Sequence, residues 1–89
     1  MARVELAPGV ADDIDRILQH LFEHEVADTR SRIENIIRAI DVLERSPLIG
    51  RAMRAGLREL VIGQHARGYV ALYRYVAVLD TVFVLAIRG

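Results

Sequence analysis

Apolar residues recur at helical spacing through the first half of the chain. Val10, Ile14, Ile17, Leu18, Leu21 and Phe22 stand at offsets 0, 4, 7, 8, 11 and 12. Those offsets form one stripe of an amphipathic helix. Ala7-Pro8-Gly9 opens it, since proline has a preset φ and no N–H to waste in a first turn. Asp12, Asp13 and Asp15 lie near that end, where the helix dipole favours negative charge. A second stripe, Ile33, Ile36, Ile37, Ile40 and Leu43, predicts another helix. Asp28 or Thr29 can cap it, and Ser46-Pro47 ends it, because the residue before a proline avoids the α region. Arg30–Glu34, Glu34–Arg38 and Asp41–Arg45 are spaced to pair on its wet face. The link around Glu25-Val26-Ala27 is short, so the two helices are expected to be antiparallel neighbours.

After residue 57 the pattern changes to runs rich in β-branched and aromatic residues. Leu57–Gly63 and Gly68–Val76 are two such runs, separated by Gly63-Gln64-His65-Ala66-Arg67-Gly68. Two β-type runs with a glycine-bounded connection predict a hairpin. Thr81–Ile87 is a third run, after a turn near Leu79-Asp80. Arg3-Val4-Glu5-Leu6 alternates and predicts a short strand at a sheet edge or paired with a later strand. Leu48–Gly56 reads as a connection. The expected fold is α+β, in the order β-α-α-β-β-β: a small antiparallel sheet covered on one face by an antiparallel helical hairpin.

Strict alternation places Tyr69, Ala71, Tyr73 and Tyr75 on one side of their strand, with Val70, Leu72, Arg74 and Val76 on the other. In the last strand it sets Phe83, Leu85 and Ile87 against Val82, Val84, Ala86 and Arg88. Neither side is cleanly polar. One must pack on the helices, and the other is apolar enough to expect a second cover.

Eighty-nine residues predict one domain, residues 1–89. The absence of cysteine excludes a disulfide framework and a thiolate metal site. No apolar run is long enough for a membrane helix, and the N-terminus lacks a signal-peptide pattern. The expectation is a cytoplasmic protein. The formal net charge is zero, yet residues 1–49 carry −4 and residues 50–89 carry +4. All twelve cations are arginine. Arginine binds carboxylate and phosphate through a planar fork, so the sheet half suits an anionic partner.

Several residue groups bear on chemistry. His20-Leu21-Phe22-Glu23-His24 matches a zinc-protease pattern, but Leu21 and Phe22 belong to the helical stripe and no third ligand is identified. The favoured reading is two surface histidines, with no metal or cofactor. His65, beside Arg67 in the turn, has the pKa range of a general acid–base but reads first as an exposed turn residue. Tyr69, Tyr73 and Tyr75 on one side can stack on bases and read first as sheet core. Arg74 interrupts an apolar strand, where an unpaired buried guanidinium is too costly; a structural or partner role is expected.

Three segments carry a resemblance. Ser46-Pro47-Leu48-Ile49-Gly50-Arg51 resembles the Pro-x-x-Gly-Arg that follows the second helix in the RelE/ParE superfamily of bacterial toxins. Gly56-Leu57-Arg58-Glu59-Leu60 resembles its Leu-Arg strand opening, and Tyr69–Val76 its Tyr-x-(Ile/Leu)-x-Tyr-Arg-Val strand. The RelE branch, ribosome-dependent messenger ribonucleases, carries an arginine after the tyrosine of that strand and a basic, tyrosine-bearing tail. Here Val70 follows Tyr69 and the chain stops at Gly89. The resemblance is therefore closer to the ParE branch. It implies the toxin of a type II toxin–antitoxin, plasmid-stabilisation system that inhibits DNA gyrase by binding, without catalytic residues. The missing tail bears on whether the chain is active. The alternatives are a RelE-like ribonuclease using His65, Arg67, Arg74 and tyrosines, or a non-toxic member that only binds its partner. The resemblance also implies a cognate antitoxin whose C-terminal segment wraps the toxin, in a homodimer or a toxin–antitoxin heterotetramer. Arg58, Arg67, Tyr73, Arg74 and Arg88 are the expected partner- or target-binding residues.

Overall fold

The computed structural model describes residues 1–24, 28–63 and 68–89. A short strand β1 (Arg3–Leu6) leads into helix α1 (Pro8–Glu23) and helix α2 (Thr29–Arg45). Strands β2 (Arg51–Ala52), β3 (Leu57–Ile62), β4 (Tyr69–Val76) and β5 (Thr81–Arg88) follow. They form one sheet in the order β1-β5-β4-β3-β2. The four later strands are antiparallel, and β1 joins β5 in parallel, which makes the sheet mixed. A parallel neighbour needs a long crossover, and here the whole of α1 to β4 lies between the two strands. The expected α+β arrangement of two helices on a sheet is the one found.

Proline stands at the start of α1, and Ser46 ends α2, its N–H donating to the Val42 carbonyl. Val10, Leu21, Ile36 and Leu43 are buried as the stripes predict. Phe22 and Ile37, counted with those stripes, are instead 68% and 54% exposed. Each follows directly on a buried residue, which turns it about 100° away from the core. Of the three expected helical ion pairs, Glu34–Arg38 forms, at 3.8 Å. The link expected at Glu25-Val26-Ala27 and the turn at 64–67, with His65 and Arg67, lie outside the described residues.

The core lies between the helices and one side of the sheet. Val10, Ile36 and Leu43 meet Ala71, Tyr73, Val82 and Val84 there. On β4 the alternation holds: Tyr69, Ala71 and Tyr73 are buried, and Arg74 is exposed. The connection expected over residues 48–56 contains the two-residue strand β2 and a turn at Arg54–Gly56. No sequence period can reveal so short a strand. Gly56 takes φ +74 there, which glycine adopts without the Cβ clash of other residues.

Candidate target-binding face

The segment after α2 is locked from below. The buried Gly50 N–H donates to the Tyr73 hydroxyl at 2.8 Å. A Cβ at position 50 would lie 2.7 Å from both Cε1 and Oη of Tyr73, so only glycine fits. Arg58, paired across the sheet with Tyr73, donates through Nη1 to the carbonyls of Gly50 at 2.8 Å and Leu48 at 3.1 Å. Arg51 pairs with Glu59 at 2.9 Å. The Pro-x-x-Gly-Arg segment is therefore a clamp closed by a tyrosine hydroxyl and a guanidinium from two different strands. Tyr73 has no exposed surface, and the geometry gives it and Arg58 a positioning part.

A bulge decides where Arg88 points. Leu72 pairs with Ala86, but Tyr73 pairs with Val84, so Leu85 is an extra residue on β5. An extra residue reverses the side on which all later side chains emerge. Val82 and Val84 are buried, and after the bulge it is Ile87 that is buried. Arg88 stands opposite Val70, on the side of Arg74 rather than on that of Val82 and Val84. This corrects the strict alternation, which set Ile87 with Phe83 and Arg88 with the two valines.

The side of the sheet turned away from the helices thus carries Arg74 and Arg88, with Leu72, Ala86 and Phe83 between and beside them. Their register positions are four residues apart along β4, roughly 13 Å. Among the described residues, neither arginine has a carboxylate within ion-pair distance. The acids of that side are engaged: Glu59 by Arg51, and Glu5 by Arg3 at 2.9 Å. Such a surface can hold an anionic or polar partner through charge-assisted hydrogen bonds with apolar contact between them. Among the described residues it offers no histidine for acid–base work.

Other groups lie elsewhere. Asp13 sits beyond the first turn of α1, so it does not serve the helix dipole. Its Oδ2 accepts the Ile87 N–H at 3.0 Å, and its other oxygen binds Arg16. β1 covers β5 only from Thr81 to Val84, so Asp13 satisfies a donor on the uncovered remainder. Nothing in the sequence signals this contact across seventy-four positions. His20 and His24 stack with ring centroids 4.2 Å apart on the exposed side of α1, and the His24 Nδ1 lies 2.9 Å from the His20 carbonyl. Tyr75 donates its hydroxyl to Asp80 Oδ1 at 2.7 Å. That bond, with burial and the carboxylate charge behind it, raises the Tyr75 pKa above its ordinary value. Among the described residues, no helix is long and apolar enough to cross a membrane.

Two helices on one side of a five-stranded mixed sheet define a RelE/ParE-like fold. A chain of the "Crystal structure of the intact E. coli RelBE toxin-antitoxin complex" matches with a TM-score of 0.64 at 15% identity, covering 100% of this chain and 96% of that one. The model of the family "ParE toxin of type II toxin-antitoxin system, parDE" matches residues 4–89. The chain belongs to this family. No curated protein matches the sequence.

Proposed function

We propose that the protein is a type II toxin that acts by binding DNA gyrase and is silenced by a cognate antitoxin. Family membership supplies the toxin class. The observation that favours binding over catalysis is the pair Arg74 and Arg88, without carboxylate partners on an apolar surface that, among the described residues, has no histidine and whose glutamates, Glu5 and Glu59, are held in ion pairs. Metal-free RNA cleavage needs groups to activate the 2′-hydroxyl and protonate the leaving oxygen. Blocking a partner enzyme needs only a complementary surface. A protein antitoxin fits the same apolar, cationic face, and the structurally similar RelBE chain comes from a toxin–antitoxin complex. The expected localisation is the cytoplasm, where gyrase acts.

The test is supercoiling by purified gyrase, beside cleavage of ribosome-bound message. The wild-type chain should inhibit gyrase and leave the message intact. Arg74→Glu and Arg88→Glu should each lose at least tenfold in inhibition, with unfolding midpoints close to wild type because both side chains are exposed. Arg58→Ala should instead lower stability by about 1–3 kcal/mol, through the carbonyls it leaves unpaired. Message cleavage with gyrase untouched would refute the reading and turn attention to His65 and Arg67.

A further inference from the structure

His20 and His24 stand one helical turn apart at the end of α1, and both side chains are exposed. Their rings meet, with centroids 4.2 Å apart. Side chains four residues apart share a face of a helix, so this contact is built into the spacing. The His20 carbonyl accepts twice from His24, from the backbone N–H at 3.1 Å and from ring Nδ1 at 2.9 Å. A carbonyl only accepts, so Nδ1 carries the ring proton in this bond. In a neutral imidazole the lone pair then lies on Nε2, at the far side of the ring.

Metal-binding histidines use this arrangement: one ring nitrogen donates to a carbonyl, which fixes the ring and leaves the other nitrogen free to ligate. Two further features favour a cation. The last turn of a helix carries partial negative charge. The arginine one turn earlier on the same face, Arg16, is held by Asp13. Glu23, the carboxylate of the His-x-x-Glu-His run, accepts from Gln19 at 3.2 Å. Among the described residues, no three metal-binding side chains gather into one group. The geometry is thus that of a two-ligand chelate, not of a zinc-protease centre. Imidazole nitrogens suit Zn²⁺, Cu²⁺ and Ni²⁺, whereas Mg²⁺ and Ca²⁺ take oxygen ligands.

We propose that His20 and His24 form a binding site for a divalent transition-metal ion, which closes the last turn of α1. The sequence alone reads them as two separate surface histidines; the ring contact and the fixed tautomer are what the structure adds. The ion links positions one turn apart. It stabilises the folded helix end over the unfolded chain, which does not hold the two rings together. The inference is independent of which target the toxin attacks.

Calorimetric titration of the purified full chain with Zn²⁺, in a buffer that does not chelate, tests it. One ion should bind per chain. His20→Gln and His24→Gln should each weaken binding at least about tenfold, and both should fold as wild type does without metal, because the side chains are exposed. Saturating Zn²⁺ should raise the thermal unfolding midpoint of the wild type, and each variant should lose that rise. His65→Gln, at the chain's third histidine, should bind as wild type does. Cu²⁺ should bind more tightly than Zn²⁺, and Mg²⁺ should neither bind nor compete. Substoichiometric Cu²⁺ should broaden the ring-proton resonances of His20 and His24 together. A wild type that binds no Zn²⁺, a His20 or His24 variant that binds as tightly as wild type, loss of binding in His65→Gln, or competition by Mg²⁺ would each overturn the proposal. A stoichiometry of one ion to two chains would place the ion between copies and overturn it as well.

Discussion

Gly50 has no side chain because Tyr73 already occupies the space. Gly50→Ala should therefore destabilise by about 1–3 kcal/mol, as overpacking does where the neighbour is a fixed ring. Tyr73→Phe keeps the ring and removes the hydroxyl that accepts the buried Gly50 N–H, at a cost of about 1–3 kcal/mol. Urea unfolding measures both, and a Gly50→Ala variant as stable as wild type would show that the ring gives way. The Tyr75–Asp80 contact makes a pH prediction. Its phenol is held neutral, so the folded pKa lies above the unfolded value near 10.0. A raised pKa stabilises below the unfolded pKa, and that contribution fades as the pH climbs through the folded one. Stability should decline above about pH 10, and Asp80→Asn should move the Tyr75 titration at 295 nm back down. Asparagine suits this substitution because position 80 has φ 46, which Asn tolerates. Arginine roles were only partly legible at this scale. Composition marked Arg58, Arg74 and Arg88 alike, and only register separates the one that ties down a loop from the two that face outward.

Elements were far easier to read than their irregularities. Both helices and the three long strands follow from periodicity, because burial on one side forces a period of 3.6 or 2. The bulge at Leu85 was invisible, since an inserted residue in an apolar run changes no composition. β2 was invisible because two residues have no period. The parallel docking of β1 depends on tertiary geometry that four alternating residues do not encode. The bulge predicts a sharp contrast between two variants. Leu85→Ala, at a partly exposed position, should cost less than about 1 kcal/mol. Inserting an alanine between Ala86 and Ile87 should reverse the sides beyond it, expose Ile87, drive Arg88 toward the side of Val82 and Val84, and cost at least about 3 kcal/mol. Thermal unfolding of the two variants decides the matter; near-equal midpoints would mean that β5 can slide.

Across the whole molecule, ten of the twelve acids fall in residues 1–49 while the arginines split six and six, which leaves the helical half at −4 and the sheet half at +4. That asymmetry was legible from the first, and the structure sharpens it by leaving Arg74 and Arg88 without carboxylate partners among the described residues. Finally, the protein has three tyrosines and no tryptophan, and Tyr69, Tyr73 and Tyr75 all stand on β4. Nearly all its absorbance at 280 nm therefore arises in one central strand. Near-ultraviolet dichroism and intrinsic fluorescence become a local optical gauge of that strand, able to register a loosened clamp while the helices still give a full far-ultraviolet signal.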